Sequence, residues 1–230
     1  MRTRRLEPEI MDDPALDADE HEAALRGLSR LNVISRSVAP FWRRIEPLLR
    51  ATQQPLTLID LACGGGDLAI GLARRAHDRR LPLRVTGCDF SGRAIAFSRR
   101  RAASLHVNAD FFEMDVLRDR VPRAYDIVVN SLFVHHLTRQ QAISFLRSAA
   151  AVANRLLLVD DLIRSRGGWV AAQAATKLVS RSAVVRQDGP QSVRAAFTTS
   201  EFSALARESG LQNAEVCRHW PFRQMLEFRR

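Results

Sequence analysis

Residues 57–70, Thr-Leu-Ile-Asp-Leu-Ala-Cys-Gly-Gly-Gly-Asp-Leu-Ala-Ile, constrain the fold more than any other stretch of the chain. An apolar run carrying one acid, Asp60, empties into three glycines and then into a helix-like pattern. Glycine has no Cβ, so a ligand can lie against bare backbone at such a strand-to-helix turn. The helix that follows presents free N–H groups to the same point. This geometry suits an adenosine-bearing cofactor.

The rest of the chain supports an α/β reading. Strands are expected at 57–62, 84–89, 109–112, 126–131 and 155–160, alternating with helices at 67–78, 92–103, 139–152 and 199–209. That alternation marks a parallel sheet covered on both faces. Thr138 with Gln141 forms a capping box, Ser200 is the expected cap of the last helix, and Gly210 ends it. The tail 213–228 reads as a hairpin around Trp220-Pro221-Phe222, closing the sheet with an antiparallel edge. Upstream, residues 1–20, with Pro8 and Pro14, read as an extended arm. Apolar residues from Ala24 to Leu48 recur at helical spacing, divided by Pro40 into two helices. Residues 164–195 break the alternation with an Ala-rich helix after Gly167-Gly168 and a turn at Asp188-Gly189-Pro190. The expected division is an N-terminal arm and helical cap over 1–50, then one cofactor-binding domain over 51–230 with a helical lid insertion at about 164–195.

Composition excludes several classes. At 230 residues and 46% hydrophobic content the chain can bury a substantial core. No apolar run reaches the roughly 18 residues that span a bilayer. Met1–Glu20 lacks the apolar stretch of a signal peptide. Cys63, Cys88 and Cys217 have no metal-like spacing, and Cys63 and Cys88, at expected strand ends, are expected to be reduced and structural in a cytoplasmic protein. The net charge of +10 comes almost wholly from arginine, Lys177 being the sole lysine. These arginines are scattered and never interleaved with aromatics, which disfavours nucleic acid as a partner.

Two readings compete for the glycine loop. As G-x-G-x-x-G/A, Gly64, Gly66 and Ala69 fit a dinucleotide fingerprint, which would imply an NAD-dependent oxidoreductase. The full string Asp60-Leu61-Ala62-Cys63-Gly64-Gly65-Gly66-Asp67 more closely resembles the first motif of class I S-adenosylmethionine-dependent methyltransferases, an acid followed by x-Gly-x-Gly-x-Gly. Ala62 departs from it at the first glycine. Three further segments follow in the family's order: Asp89-Phe90-Ser91 at the second strand's end, Asp115-Val116 after the third, and Tyr125 to Leu137, ending in His135-His136. The resemblance covers residues 57 to about 161 and is nearest to small-molecule and quinone-type enzymes.

The resemblance implies a Rossmann-like seven-stranded methyltransferase sheet, mostly parallel, with S-adenosylmethionine as cofactor and S-adenosylhomocysteine as product. It implies that Asp60, Ala62, Cys63, Gly64 and Gly66 form the cofactor loop, that Asp89 binds the ribose and Phe90 packs on the adenine, and that Asp115 and Val116 read the adenine edge. Asn130 and Ser131 would lie near the methionine end. A poorly acidic hydroxyl acceptor requires a base, and histidine suits neutral pH. His135 is therefore assigned to the substrate and His136 to holding the loop. Asp161 either orients His135, binds substrate hydroxyls or pairs with Arg164. His21, His77, His106 and His219 read as surface residues. No metal is expected, because His135 stands where metal-holding relatives carry Glu. Phe41, Trp42, Phe133, Arg164 and Trp169 are the expected acceptor pocket, Trp169 to Val179 forming its apolar lid. Such walls suit a lipophilic or aromatic small molecule, O-methylated on a phenolic, polyketide or quinone-like hydroxyl, by an enzyme acting as monomer or homodimer. Ring C-methylation and an RNA or protein acceptor remain alternatives. The Asn/Asp-Pro-Pro-Tyr mark of amino-group methylation is absent at Asn130–Phe133.

Overall fold

The computed structural model describes every residue except 2 and 14. Strands β1 (Leu56–Leu61), β2 (Leu83–Asp89), β3 (Asp110–Glu113), β4 (Tyr125–Ser131) and β5 (Ala153–Leu162) are parallel. β6 (Glu215–His219) and β7 (Arg223–Arg229) form the C-terminal hairpin, with β7 antiparallel to β5. The sheet order is β3-β2-β1-β4-β5-β7-β6. This is the expected Rossmann-like architecture. The order reverses between β1 and β4, and ligands of such sheets bind outside the carboxyl ends at that reversal.

Both faces are buried, as parallel sheets require. Leu58, Ile127, Val129, Leu156 and Leu158 pack beneath α2 (Val38–Arg50), α3 (Asp67–Asp78) and α4 (Gly92–Ser104). Ile59, Leu61, Val128, Leu157 and Val159 pack beneath α5 (Arg139–Val152) and α8 (Thr199–Glu208). Each such side chain, fully buried, contributes about 1.5–3 kcal/mol. A helical layer of α1 (Ala18–Ile34), α6 (Arg166–Val179) and α7 (Ala183–Ala195) covers one end, α1 packing on α4, α6 and α7.

Several expectations are corrected. The break between the first two helices falls at Ser35–Ser37, where Arg36 has a φ of 51°, before Pro40. Pro40 sits in the first turn of α2, where its missing N–H has no helical partner to lose. Asp188-Gly189-Pro190 lies inside α7 and forms no turn. A Cβ on Gly189 would stand 2.6 Å from Thr176, so this glycine serves the close approach of α6 and α7. Thr198, rather than Ser200, caps α8 in a reciprocal capping box with Glu201. Pro14 lies outside the described residues.

The expected extended arm is pinned to the body as a strap along α7. The Arg5 amide donates to the Arg194 carbonyl at 3.1 Å. Gln191 donates to the carbonyls of Glu7 and Pro8. The amides of Ile10 and Met11 donate to the two carboxylate oxygens of Asp188 at 3.1 and 3.0 Å.

Candidate functional site

The loop after β1 has the left-handed backbone that glycine favours. Gly64 and Gly66 have φ values of 51° and 73°, and Ala62, at the departure from the family pattern, has 54°. An alanine there costs about 1–2 kcal/mol. A Cβ on Gly64 would meet nothing within 4 Å, so this bare backbone faces open space. A Cβ on Gly66 would stand 3.0 Å from Ser98 and 3.1 Å from Phe111, so that glycine serves internal packing.

Asp89, at the end of β2, accepts from the Gly64 amide at 2.8 Å and from the Ser91 amide at 2.9 Å. It thereby ties the second motif to the first. Burial raises its carboxyl, and the two amide bonds work against that shift. Phe90 beside it is 51% exposed, a large apolar ring left facing solvent. Asp115 accepts from the Leu117 amide and pairs with Arg118 at 3.3 Å.

Two buried polar atoms at the sheet's switch point lack partners among the described residues: Asp60 Oδ2 and Asn130 Oδ1. The other end of the Asn130 amide donates to the Leu61 carbonyl at 2.7 Å. Burial drives the Asp60 carboxyl well above its ordinary value. Orphaned polar atoms, a bare glycine backbone and an exposed ring at one crevice fit an adenosyl amino-acid cofactor. The thiols are free, and burial raises Cys63 and pushes Cys88 up to about 12, so both stay protonated at neutral pH. Ser131 Oγ accepts from Arg223 at 2.8 Å, and Arg223 pairs with Asp160. His219 joins that buried acid at 2.7 Å and is no simple surface residue.

The histidine pair lies on a single 3-10 turn, Val134–His136, just beyond β4. His135 is 3% exposed. Its Nδ1 is 2.6 Å from Asp161 Oδ1, and its amide donates to Asp161 Oδ2 at 2.7 Å. Burial alone would raise the Asp161 carboxyl; the His135 charge and the hydrogen bonds hold it below its usual range. Of the partners expected for Asp161, the structure shows His135, held through ring and amide. His136 Nδ1 lies 3.1 Å from Asp12 Oδ2 in the strap. Burial works to lower His136, but Asp12, Glu9 and Asp161 outweigh it and raise its pKa to about 9.

The strap adds residues that no sequence signal had placed here. Arg4 donates to the His135 carbonyl at 2.8 Å, bonds the Ala195 carbonyl and stacks 3.8 Å over Phe197. Glu9 Oε1 lies 3.7 Å from His135 Nε2, and Glu9 Oε2 lies 3.9 Å from His136 Nε2. Ser192 donates to Glu9 at 2.5 Å. His21, expected at the surface, is 8% exposed in α1.

Part of the expected acceptor pocket is elsewhere. Phe41 and Trp42 belong to the core under α2 and α3, Trp42 bonding Glu46 at 2.7 Å. Arg164 is buried in a two-pronged ion pair with Glu201, at 2.9 and 2.7 Å, and does not reach Asp161. Trp169 lies beneath Arg194 of α7, while Val170 and Leu178 of the expected lid point outward, 59% and 86% exposed. Phe133 alone remains beside the histidines, its ring 6.3 Å from that of His136 and edge-on to Phe145.

A methyltransferase-domain family model matches residues 58–155. The demethylmenaquinone methyltransferase of Thermus thermophilus is 31% identical over 121 residues, 52% of this chain and 53% of that protein. Its namesake from Deinococcus radiodurans is 32% identical over 92 residues, 40% of this chain and 36% of that one. The chain thus spans about half the length of the first curated relative and less of the second. Among solved structures, magnesium protoporphyrin IX methyltransferase from Synechocystis PCC 6803 with bound S-adenosylhomocysteine matches with a TM-score of 0.59 at 16% identity, covering 96% of this chain and 91% of that one. The plantazolicin methyltransferase BpumL matches with a TM-score of 0.61 at 14% identity, covering 92% and 87%. At these identities the structures speak for the fold alone. Together the matches agree with the methyltransferase resemblance over residues 58–155, and the solved structures share its fold.

Proposed function

We propose that this chain, whose residues 58–155 match a methyltransferase domain, transfers a methyl group from S-adenosylmethionine to a hydroxyl of a small lipophilic or aromatic acceptor, quinone-like or phenolic. The name shared by the two curated relatives supports the quinone-like class. When bound, the cofactor supplies an electrophilic methyl group. Asp60, Ala62, Cys63, Gly64, Gly66, Asp89, Phe90, Asp115, Val116, Asn130 and Ser131 are the residues assigned to hold it. The chain's own work is then to place the acceptor and remove its proton.

The observation that carries this reading is the grip of Asp161 on His135. With Nδ1 donating to the carboxylate, Nε2 keeps the free lone pair and accepts the hydroxyl proton, while Asp161 stabilises the imidazolium that forms. Phe133 stands beside the histidines, and an acceptor reaching Nε2 must displace the strap from its polar contacts with Asp188, Gln191 and His136. General-base assistance contributes about 10²–10⁴-fold. His135→Ala is therefore expected to lower kcat within that range while S-adenosylhomocysteine affinity stays intact. A kcat near the parent value would remove the base role and favour transfer to an activated ring carbon.

A further inference from the structure

We propose that Glu9, His135 and His136 form a site for a zinc-class divalent cation that clamps the N-terminal strap over the acceptor crevice. Each imidazole has its Nδ1 engaged by a carboxylate, His135 by Asp161 at 2.6 Å and His136 by Asp12 at 3.1 Å. This fixes both rings with Nδ1 toward its carboxylate and turns both Nε2 atoms toward Glu9, where a bound ion takes the place of any proton on Nε2. The two Glu9 oxygens answer them one each, at 3.7 and 3.9 Å. Those separations are too long for hydrogen bonds. They suit one ion held by bonds of about 2.0–2.2 Å to each ligand atom.

Three further features support the same assignment. All three ligand atoms lie within 4.8 Å of one another. Every ligand is oriented from behind, the rings by Asp161 and Asp12 and Glu9 by Ser192, as the outer partners of metal-bound histidines are. Three carboxylates converge on two imidazoles here, while the Arg4 guanidinium is engaged by the His135 carbonyl. Two imidazoles and one carboxylate are a borderline donor set, which selects zinc and its neighbours over magnesium or calcium. One coordination position stays open to water.

The strap brings Glu9 to the histidines, so the ion and the closed strap stabilise each other. The consequence for catalysis rests on the reading of His135 as the base: the ion takes the Nε2 lone pair that the acceptor proton needs. Metal binding would then shut the crevice and silence the base in one event.

The test begins with the metal-stripped 230-residue chain titrated with cobalt(II) chloride, followed by zinc chloride as competitor. One equivalent of cobalt is expected to develop visible d–d bands that zinc abolishes. Glu9→Gln should remove saturable binding while S-adenosylhomocysteine binding shows the protein still folded. Asp12→Asn, which disturbs only the partner behind His136, should weaken it by about 10–100-fold. Absence of saturable one-equivalent binding, or binding indifferent to Glu9→Gln, would overturn the site. Methyl transfer is measured in the same samples. Zinc inhibition that the parent shows and Glu9→Gln lacks supports the clamp. Glu9-dependent zinc binding that leaves transfer unaffected upholds the site and instead overturns His135 as the base.

Discussion

Asp161 holds His135 at two points, its Oδ1 on the ring nitrogen at 2.6 Å and its Oδ2 on the backbone amide at 2.7 Å. One carboxylate thus sets the position of the turn, the plane of the ring and the nitrogen that carries the proton. The chain reaches this from two separate strands, β4 delivering the histidine and β5 the acid.

An asparagine at position 161 cannot accept from both donors, because one of its two ends is an NH2 group. The ring would turn over its tautomer and lose the basic Nε2. Asp161→Asn is expected to lower kcat toward the loss seen on removing the base, about 10²–10⁴-fold. S-adenosylhomocysteine affinity, read by calorimetry, should not follow. Parent-like kcat in this variant would make the pair structural only.

Gly64 and Gly66 separate ligand contact from internal packing. The Cβ of Gly64→Ala projects into open space where the cofactor backbone contact is assigned. Its backbone strain costs about 1–2 kcal/mol of stability, and overpacking against the ligand costs about 1–3 kcal/mol of affinity. Gly66→Ala meets Ser98 and Phe111 and should act mainly on stability. Paired thermal melts and S-adenosylhomocysteine titrations of the two variants check this split. Equal damage to affinity by both would refute it.

Asp89→Ala removes a buried carboxylate assigned to the ribose and also frees the Gly64 amide. Hydrogen bonds to charged groups contribute about 1.5–3 kcal/mol, so S-adenosylhomocysteine binding should weaken roughly ten- to a hundredfold. Asp89→Asn, which keeps one acceptor oxygen, should fall between. NAD is expected to give no heat of binding to the parent; tight NAD binding would reinstate the dinucleotide reading of the same glycines.

The sheet and the glycine turn after its first strand were legible because periodicity and glycine chemistry are local signals. Asp60, Asp89 and Asn130 lie at the carboxyl ends of strands whose burial pattern is written in their own residues, and Gly64 lies in the turn after the first of them. The acceptor side was not legible in the same way. The apolar spacing around Phe41 and Trp42 reports burial but is silent on whether sheet or ligand lies opposite. Asp188-Gly189-Pro190 carries turn propensity that the close packing of α6 on α7 overrides. Arg4, Glu9 and Asp12 reach the histidines through single side chains across most of the chain, and no repeat or spacing encodes such contacts.

Asp60 gives the fold a pH dependence of definite sign. It is 2% exposed with one oxygen unpartnered, and burial holds its folded pKa well above the unfolded value. An acid shifted upward binds its proton more tightly in the folded state. Its stabilising contribution is therefore complete below the unfolded pKa, near 3.9, and is lost as pH rises through the folded value. Asp60→Asn cannot ionise and lacks this slope. Melting temperatures of parent and variant, measured without cofactor from about pH 4 to about pH 8, should shift steadily in favour of the variant as pH rises. Parallel curves over that range would mean that Asp60 ionises in the fold as readily as in the unfolded chain, its charge offset by a partner.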